Sequence, residues 1–309
     1  MQLTPWSSAE RTSPPTKVSR EAQPFHVKSR RVLISTKGER AMSQYEHILY
    51  EQKGAVVKIT LNRPEKLNAL NSKIMYELDS AFDRIESDSS VRALVIAGAG
   101  RAFCSGYDLS PTDEIENSVQ GWRDHATRAG RDVVMKMWDL RIPVITAVHS
   151  YALGGGCDIV LASDITILAE DAKIGEPEVR HVSSPPTYIM PWVIGIKKAK
   201  ELLLTGDMID AQEAYRLGIA NKVVPVGRLQ EEAWAFAERL ARIPAVSVEF
   251  NKRAINHAYA TMGLKCAVDY GVETFTMLLM TKEAAEFDKL VAEKGLKAAL
   301  EERNRRLEG

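Results

Sequence analysis

Arg101-Ala102-Phe103-Cys104-Ser105-Gly106-Tyr107-Asp108-Leu109 and Tyr151-Ala152-Leu153-Gly154-Gly155-Gly156-Cys157-Asp158 decide how this chain is read. Each follows a short apolar run, residues 91–97 for the first and 143–148 for the second. Short β-branched runs bounded by glycine read as buried strands. The chain must then turn at Gly98-Ala99-Gly100 and again at Gly154-Gly155-Gly156, and residues 157–162 read as the start of a buried helix. A helix start presents unpaired N–H groups and a positive dipole end. Glycine lets backbone amides approach a ligand closely, and two such amides meeting at one carbonyl oxygen stabilise the charge that an enolate develops there.

A lone glycine triplet is more often a turn than an anion site. The specificity lies in the joint wording: Ala-Phe-x-x-Gly-x-Asp-Leu in the first segment, Ala-Leu-Gly-Gly-Gly in the second, and Asn62-Arg63-Pro64-Glu65-Lys66-Leu67-Asn68-Ala69-Leu70-Asn71 before both. Together these segments resemble the crotonase (enoyl-CoA hydratase/isomerase) family, over about residues 45 to 300. The resemblance implies an α/β fold, a coiled ββα superhelix with a C-terminal helical trimerisation region, so that the chain self-associates as a homotrimer or hexamer. It implies a coenzyme A thioester as substrate, with no cofactor and no metal. Tyr107 and Gly155 are then the residues whose N–H groups form the oxyanion hole.

Catalysis by resemblance falls to two carboxylates. Glu178, in Gly175-Glu176-Pro177-Glu178, matches the second catalytic Glu of hydratases, and Asp158 stands where they carry the first. Hydration of a conjugated thioester needs a water oriented at the β carbon and a proton delivered to the α carbon, which two carboxyl groups flanking one water can supply. Burial and mutual repulsion raise such carboxyl pKa values toward neutrality. Asp158 departs from the family pattern, being one methylene shorter. A second departure is Val182-Ser183-Ser184-Pro185-Pro186-Thr187-Tyr188, where hydratases have a glycine-rich stretch; proline stiffens what glycine leaves open. Arg180 and His181 in the same loop are either surface charges or groups that recognise a polar acyl chain.

For coenzyme A, the resemblance points to Lys66 as a phosphate contact and to Ala69 and Leu70 beside adenine and the thioester arm. Asp108, Leu109 and Gly154 flank the oxyanion segments and complete the expected substrate contacts with His181. Ser110 replaces a frequent lysine. Phe287 and Lys294 are expected to reach a neighbouring subunit's coenzyme A.

Composition agrees with a soluble globular enzyme: 309 residues, 45% hydrophobic and 27% charged. The formal net charge of zero argues against a nucleic-acid partner. No apolar run reaches the length of a membrane span. Three cysteines without metal-type spacing indicate a reducing compartment and no disulfide framework, hence a cytoplasmic protein, or a mitochondrial one if the N-terminal stretch is a transit segment. Cys104 and Cys157 read as small buried fillers. Gly98-Ala99-Gly100 does not open a dinucleotide site, because Phe103 stands where the third glycine belongs.

Residues 1–41 carry four prolines, eight Lys plus Arg and three acidic residues, with little apolar periodicity. That composition predicts disorder, and Met42 is read as the start of the folded part. Residues 42–240 are expected to form the ββα core and 241–309 the helical region. A hairpin is predicted around Gln52-Lys53-Gly54, and an amphipathic helix over residues 71–87 with Ile74, Leu78, Phe82 and Ile85 on one face and Ser72 as its cap. Strands are predicted at 144–148 and 165–168. Helices follow at 197–204, 211–217, 229–241, 245–260 and 266–300.

Three function classes stay open on these residues: a lyase acting on an acyl-CoA double bond, an isomerase or hydrolase using Glu178 with Asp158 or His181, and a binding protein without turnover.

Overall fold

A computed structural model describes residues 45–110 and 115–308. Residues 1–44, and with them the expectations for the N-terminal stretch, lie outside the described residues. By internal contacts Met42–Gly309 is one unit, with no division at residue 240.

The frame is a six-stranded sheet. β1 (Ile48–Lys53) and β2 (Val56–Leu61) form the hairpin, antiparallel with Lys53 opposite Val56. β3 (Ala93–Gly98), β4 (Val144–Val148), β6 (Ile165–Ala169) and β9 (Lys222–Val224) continue it in parallel, in the order β1-β2-β3-β4-β6-β9. Parallel strands bury both faces, so they read as continuous apolar runs. The period of two then divides their side chains between two cores. Leu94, Ile96, Val144, Val148 and Leu168 enter one. Ala93, Val95, Ala97, Ile145 and Ile167 enter the other, beneath α8 (Leu229–Ala241) through its buried Leu229, Ala233 and Ala237.

The larger core is closed by α1 (Ser72–Ser87), whose Ile74, Leu78, Phe82 and Ile85 are buried as its 3.6-residue period predicts. Truncating the fully enclosed Phe82 to Ala would cost about 4 kcal/mol. Asn71, and not Ser72, caps this helix: its Oδ1 accepts from the Ile74 N–H at 3.0 Å. Asn competes well for that position because its short arm reaches back to the third amide. Beyond α2 (Val119–Ala126), a π turn over Thr127–Arg131 leads into α3 (Asp132–Asp139).

A second, three-stranded sheet sits at the ends of the main strands and builds the site. β5 (Tyr151–Leu153) pairs in parallel with β7 (Lys173–Gly175), which pairs with β8 (Ile209–Asp210). These strands are too short to be legible as periodic runs. The register Leu153 to Gly175, extended by Gly154 N–H donating to Gly175 O at 3.0 Å, lays the triple-glycine turn beside Glu176-Pro177-Glu178.

α5 (Met190–Ile194), α6 (Ile196–Thr205) and α7 (Ala211–Arg216) lead to α8. After it come α9 (Ala245–Thr261), α10 (Leu264–Leu279), α11 (Lys282–Lys294) and α12 (Leu296–Glu308). The single helix expected over 266–300 is thus three. Thr281 stops one and caps the next by accepting from Ala284 N–H, and Gly295, at φ 79°, breaks the chain between α11 and α12. Lys252 anchors α9 to the sheet from a buried position, donating to Asp164 at 2.7 Å and to Ile142 O at 3.0 Å. Among the described residues no helix is long and apolar enough to cross a membrane.

Candidate active site

Three segments distant in sequence lie side by side here. Phe103 N–H donates to His149 O, Cys104 N–H to Tyr151 O and Leu153 N–H to Cys104 O, at 2.9–3.1 Å. On the other flank Ser105 N–H donates to Leu67 O, Leu70 N–H to Gly106 O and Asp108 N–H to Leu70 O, at 2.8–3.0 Å. The Arg101–Leu109 stretch is therefore a short ribbon held between the Asn62–Asn71 segment and β5. In that pairing the Tyr107 N–H points away from Leu70, and among the described residues it meets no backbone carbonyl. Gly155 opens α4 (Gly155–Ala162), and its N–H is likewise without a backbone acceptor, as the first amide of a helix must be.

Gly155 also explains how closely the two segments approach: a Cβ there would stand 2.7 Å from the Tyr107 ring and 2.9 Å from Leu70 Cδ1. Asn68, fully buried, ties the ribbon down. Its Nδ2 donates to Ala99 O and Ala102 O at 2.8 Å, and its Oδ1 accepts from Arg63 N–H at 2.8 Å. Arg63 bonds Ala69 O at 2.6 Å and Asp108 at 3.0 Å.

α4 buries Asp158 completely. Thr187 Oγ1 donates to its Oδ1, and the Tyr107 hydroxyl lies 3.5 Å from Oδ2. Burial drives the Asp158 carboxyl well above the usual carboxylate range, opposed by the Thr187 bond and reinforced by Glu178. Glu178 sits on the 3-10 turn Pro177–His181, which Pro177 opens and Val182 closes in the left-handed region. It is 7% exposed, with Oε1 packed on Gly154 and Oε2 unpartnered. Its carboxyl is pushed up to about 7, by burial first, against the pull of its own backbone N–H and of Glu176. Glu176 is 1% exposed, with neither oxygen hydrogen-bonded. Burial and the neighbouring Glu178 and Asp158 drive it well above the usual range. Burial likewise pushes the Cys104 thiol up to about 12 and Cys157 well above its ordinary value, which favours the protonated thiol at both.

Among the candidates read from sequence, Glu178, Asp158, Tyr107, Gly154, Gly155, Leu70 and Asp108 are gathered here. Ala69 is buried beside them through its bond to Arg63, whereas Lys66 and Leu109 are exposed at the rim. His181 stacks on Phe287, with ring centroids 6.2 Å apart, while Arg303 covers the same Phe287 ring. Burial and that Arg303 lower the His181 pKa to about 4, leaving the imidazole neutral. Phe287 is thus engaged within its own chain, and Lys294 pairs with Glu302 at 2.7 Å. Arg180 is held at the surface by Asp207 and Thr205 O.

Sequence reading passed over Glu176, Thr187 and the structural pair Asn68 and Arg63. A second acid two residues before Glu178 was the available signal for Glu176. Thr187 had none, since only the fold carries its loop over α4. Among the described residues no group of acidic, His or Cys side chains could hold a metal ion.

The α/β sheet brings the Tyr107 and Gly155 segments beside the buried carboxyls of Asp158, Glu176 and Glu178, and a profile of the enoyl-CoA hydratase/isomerase family matches residues 51–309. The chain belongs to that family. It is 36% identical over 230 residues to a short-chain-enoyl-CoA hydratase of Clostridium acetobutylicum, covering 73% of this chain and 85% of that protein. It is also 32% identical over 263 residues to a crotonyl-CoA hydratase of Syntrophomonas wolfei, covering 84% and 96%. The crystal structure of an enoyl-CoA hydratase/isomerase from Xanthobacter autotrophicus Py2 superposes with a TM-score of 0.80 at 36% identity, over 85% of this chain and 99% of that one.

Proposed function

We propose that this enzyme adds water to a 2-enoyl-CoA, or removes it, through a thioester enolate, with Glu178 moving the proton. The observation that carries this reading is the unequal state of the two carboxyls: both oxygens of Asp158 face hydroxyl donors, whereas Glu178 keeps Oε2 unpartnered. A group already held by donors orients; a group with a free oxygen exchanges protons. In the forward direction Glu178 takes a proton from water as the water oxygen bonds to the β carbon. Electrons move onto the thioester oxygen between the Tyr107 and Gly155 amides, and the α carbon then receives the proton from Glu178. Asp158 accepts a hydrogen bond from the same water and holds its oxygen on line. The reaction needs no cofactor and no metal, and coenzyme A enters as part of the substrate. Lys66, Ala69, Leu70, Asp108, Leu109, Gly154 and His181 are read as its surroundings.

The hydroxyls on Asp158 also favour a second reading, a double-bond isomerase in which Glu178 alone carries the proton between carbons. Incubation with enoyl-CoA thioesters of varied length separates the two. Loss of conjugation absorbance with release of 3-hydroxyacyl-CoA supports hydration; a shifted double bond without incorporated water supports isomerisation; neither change overturns both.

Self-association as a trimer or hexamer belongs to the same proposal, supported by the exposed apolar Val246, Phe250 and Ile255 along α9 and Met262 just after it. Phe287 and Lys294 contribute to a neighbour's coenzyme A site only if their contacts within this chain open. A reducing compartment such as the cytoplasm suits the unpaired Cys104, Cys157 and Cys266.

A further inference from the structure

Glu176 is the buried titratable group that the reaction above leaves idle. It is 1% exposed, neither of its oxygens has a hydrogen-bond partner among the described residues, and Glu178 two residues on carries an unpartnered oxygen too. Every titratable group that acts on it or feels it is neutral or acidic: Cys157 and Asp158 on α4, Glu178 on the turn, and the phenols of Tyr107 and Tyr188. An ionised carboxylate in such surroundings has only the weak Cys157 thiol, and neither a cation nor an N–H, to offset its desolvation, so the neutral acid is the stable form. A neutral acid carries one O–H, and an O–H enclosed in protein requires an acceptor. The strongest acceptor that acts on it is the carboxylate of Glu178, two residues on, buried with it and likewise carrying an unpartnered oxygen.

We propose that Glu176 is a positioning residue that stays protonated at neutral pH and donates its O–H to the carboxylate of Glu178, keeping Glu178 in the ionised form that accepts a proton from water. This rests on the reading of Glu178 as the proton-transferring group. A donated hydrogen bond stabilises the charged acceptor, so it opposes burial. In agreement, Glu178 is held at about 7 with Glu176 lowering it, while Glu176 itself is driven well above the usual range. The proton on Glu176 is not transferred in the reaction and touches no reacting atom.

The test is the acidic limb of kcat/KM against pH for wild type, Glu176→Gln and Glu176→Leu, with a 2-enoyl-CoA as substrate. Activity needs ionised Glu178, so the limb marks its pKa in the free enzyme. Leu removes the donor, and the limb should move up by about one to two pH units, the scale of a hydrogen bond to a charged group. Gln keeps a donor in its amide, and its limb should stay close to wild type. Were Glu176 ionised, both variants would remove a negative charge and the limb would move down instead. A downward shift in either variant, or no shift in Glu176→Leu, overturns the proposal. Infrared difference spectra of wild type against Glu176→Gln at neutral pH provide a readout independent of turnover and of the Leu variant's folding. Loss of a protonated-carboxyl carbonyl band in the Gln variant is expected; loss of carboxylate bands instead overturns the proposal. An enzyme inert toward every enoyl-CoA would overturn the reaction reading, and the infrared result would still decide the protonation of Glu176.

Discussion

Glu178 occupies the space that a side chain on residue 154 would need: a Cβ built on Gly154 would collide with Glu178 Oε1. Gly154 also has φ 51° and ψ −125°, a conformation that L side chains rarely adopt. Gly154→Ala should therefore displace the carboxylate and strain the turn together. We expect kcat to fall by about 10²-fold, the scale of displacing a positioned catalytic group. Binding of a saturated acyl-CoA, measured by calorimetry, should change far less. Wild-type kcat in a folded Gly154→Ala protein would show that the contact does not position Glu178.

Glu178→Gln keeps shape and removes the proton site, and should lower kcat by about 10²- to 10⁴-fold. In wild type the rate should rise with pH through about 7, where Glu178 ionises. Near wild-type turnover in the Gln variant on the best substrate would end the proposed mechanism.

The same raised pKa bears on stability. A carboxyl at about 7 in the fold and near its ordinary 4.5 when unfolded makes the native state hold more protons between those values. Native stability should then fall as pH rises through that window, and Asp158 and Glu176, both raised, add to the trend. Melting temperatures measured from about pH 5 to pH 7 should decline less steeply for Glu178→Gln than for wild type. Equal slopes would show that Glu178 does not titrate in that range.

Asp158 has a hydroxyl on each oxygen, so its aim depends on Thr187. Thr187→Val is nearly isosteric and removes the donor. A loss of kcat of about 10-fold is expected, the scale of one hydrogen bond. Thioester binding should be little changed. Asp158→Asn should cost about as much as Glu178→Gln in a hydratase and much less in an isomerase, as read from product analysis and kcat together.

Asn68→Ala removes a buried amide with three carbonyl acceptors and one N–H donor. Leaving these unsatisfied should destabilise the protein by about 3 kcal/mol, measurable as a lower denaturant midpoint. Asn68→Asp should be no better, because a carboxylate cannot donate to Ala99 O and Ala102 O.

The legible part of this protein consisted of segments whose chemistry is local. The glycine turns, the strands read over 91–97 and 144–148, the first of which forms over Ala93–Gly98, and the buried stripe of α1 follow from period and composition, because a strand or helix face must bury its apolar side chains wherever the chain leads. Glu178 and Asp158 were singled out by the motifs around them, and the fold buries both. Boundaries set by single side chains were not: Asn71 and Ser72 are both good caps, and only the entering backbone chooses between them.

What the tertiary structure alone decided is how segments without local periodicity meet. β5, β7 and β8 are two or three residues long, too short for a period of two to appear. Yet the register of Leu153 on Gly175 sets Glu178 against Gly154. Thr187 lies 29 residues from Asp158 in sequence, and its hydroxyl acquires meaning only when its loop is folded over α4. The sequence therefore determined which groups are present and which backbone turns they need. Long-range strand pairing and burial determined that Asp158 is held by two hydroxyls and that Glu176 and Glu178 are enclosed away from such donors, because desolvation and hydrogen bonding act on distances that the order of residues does not contain.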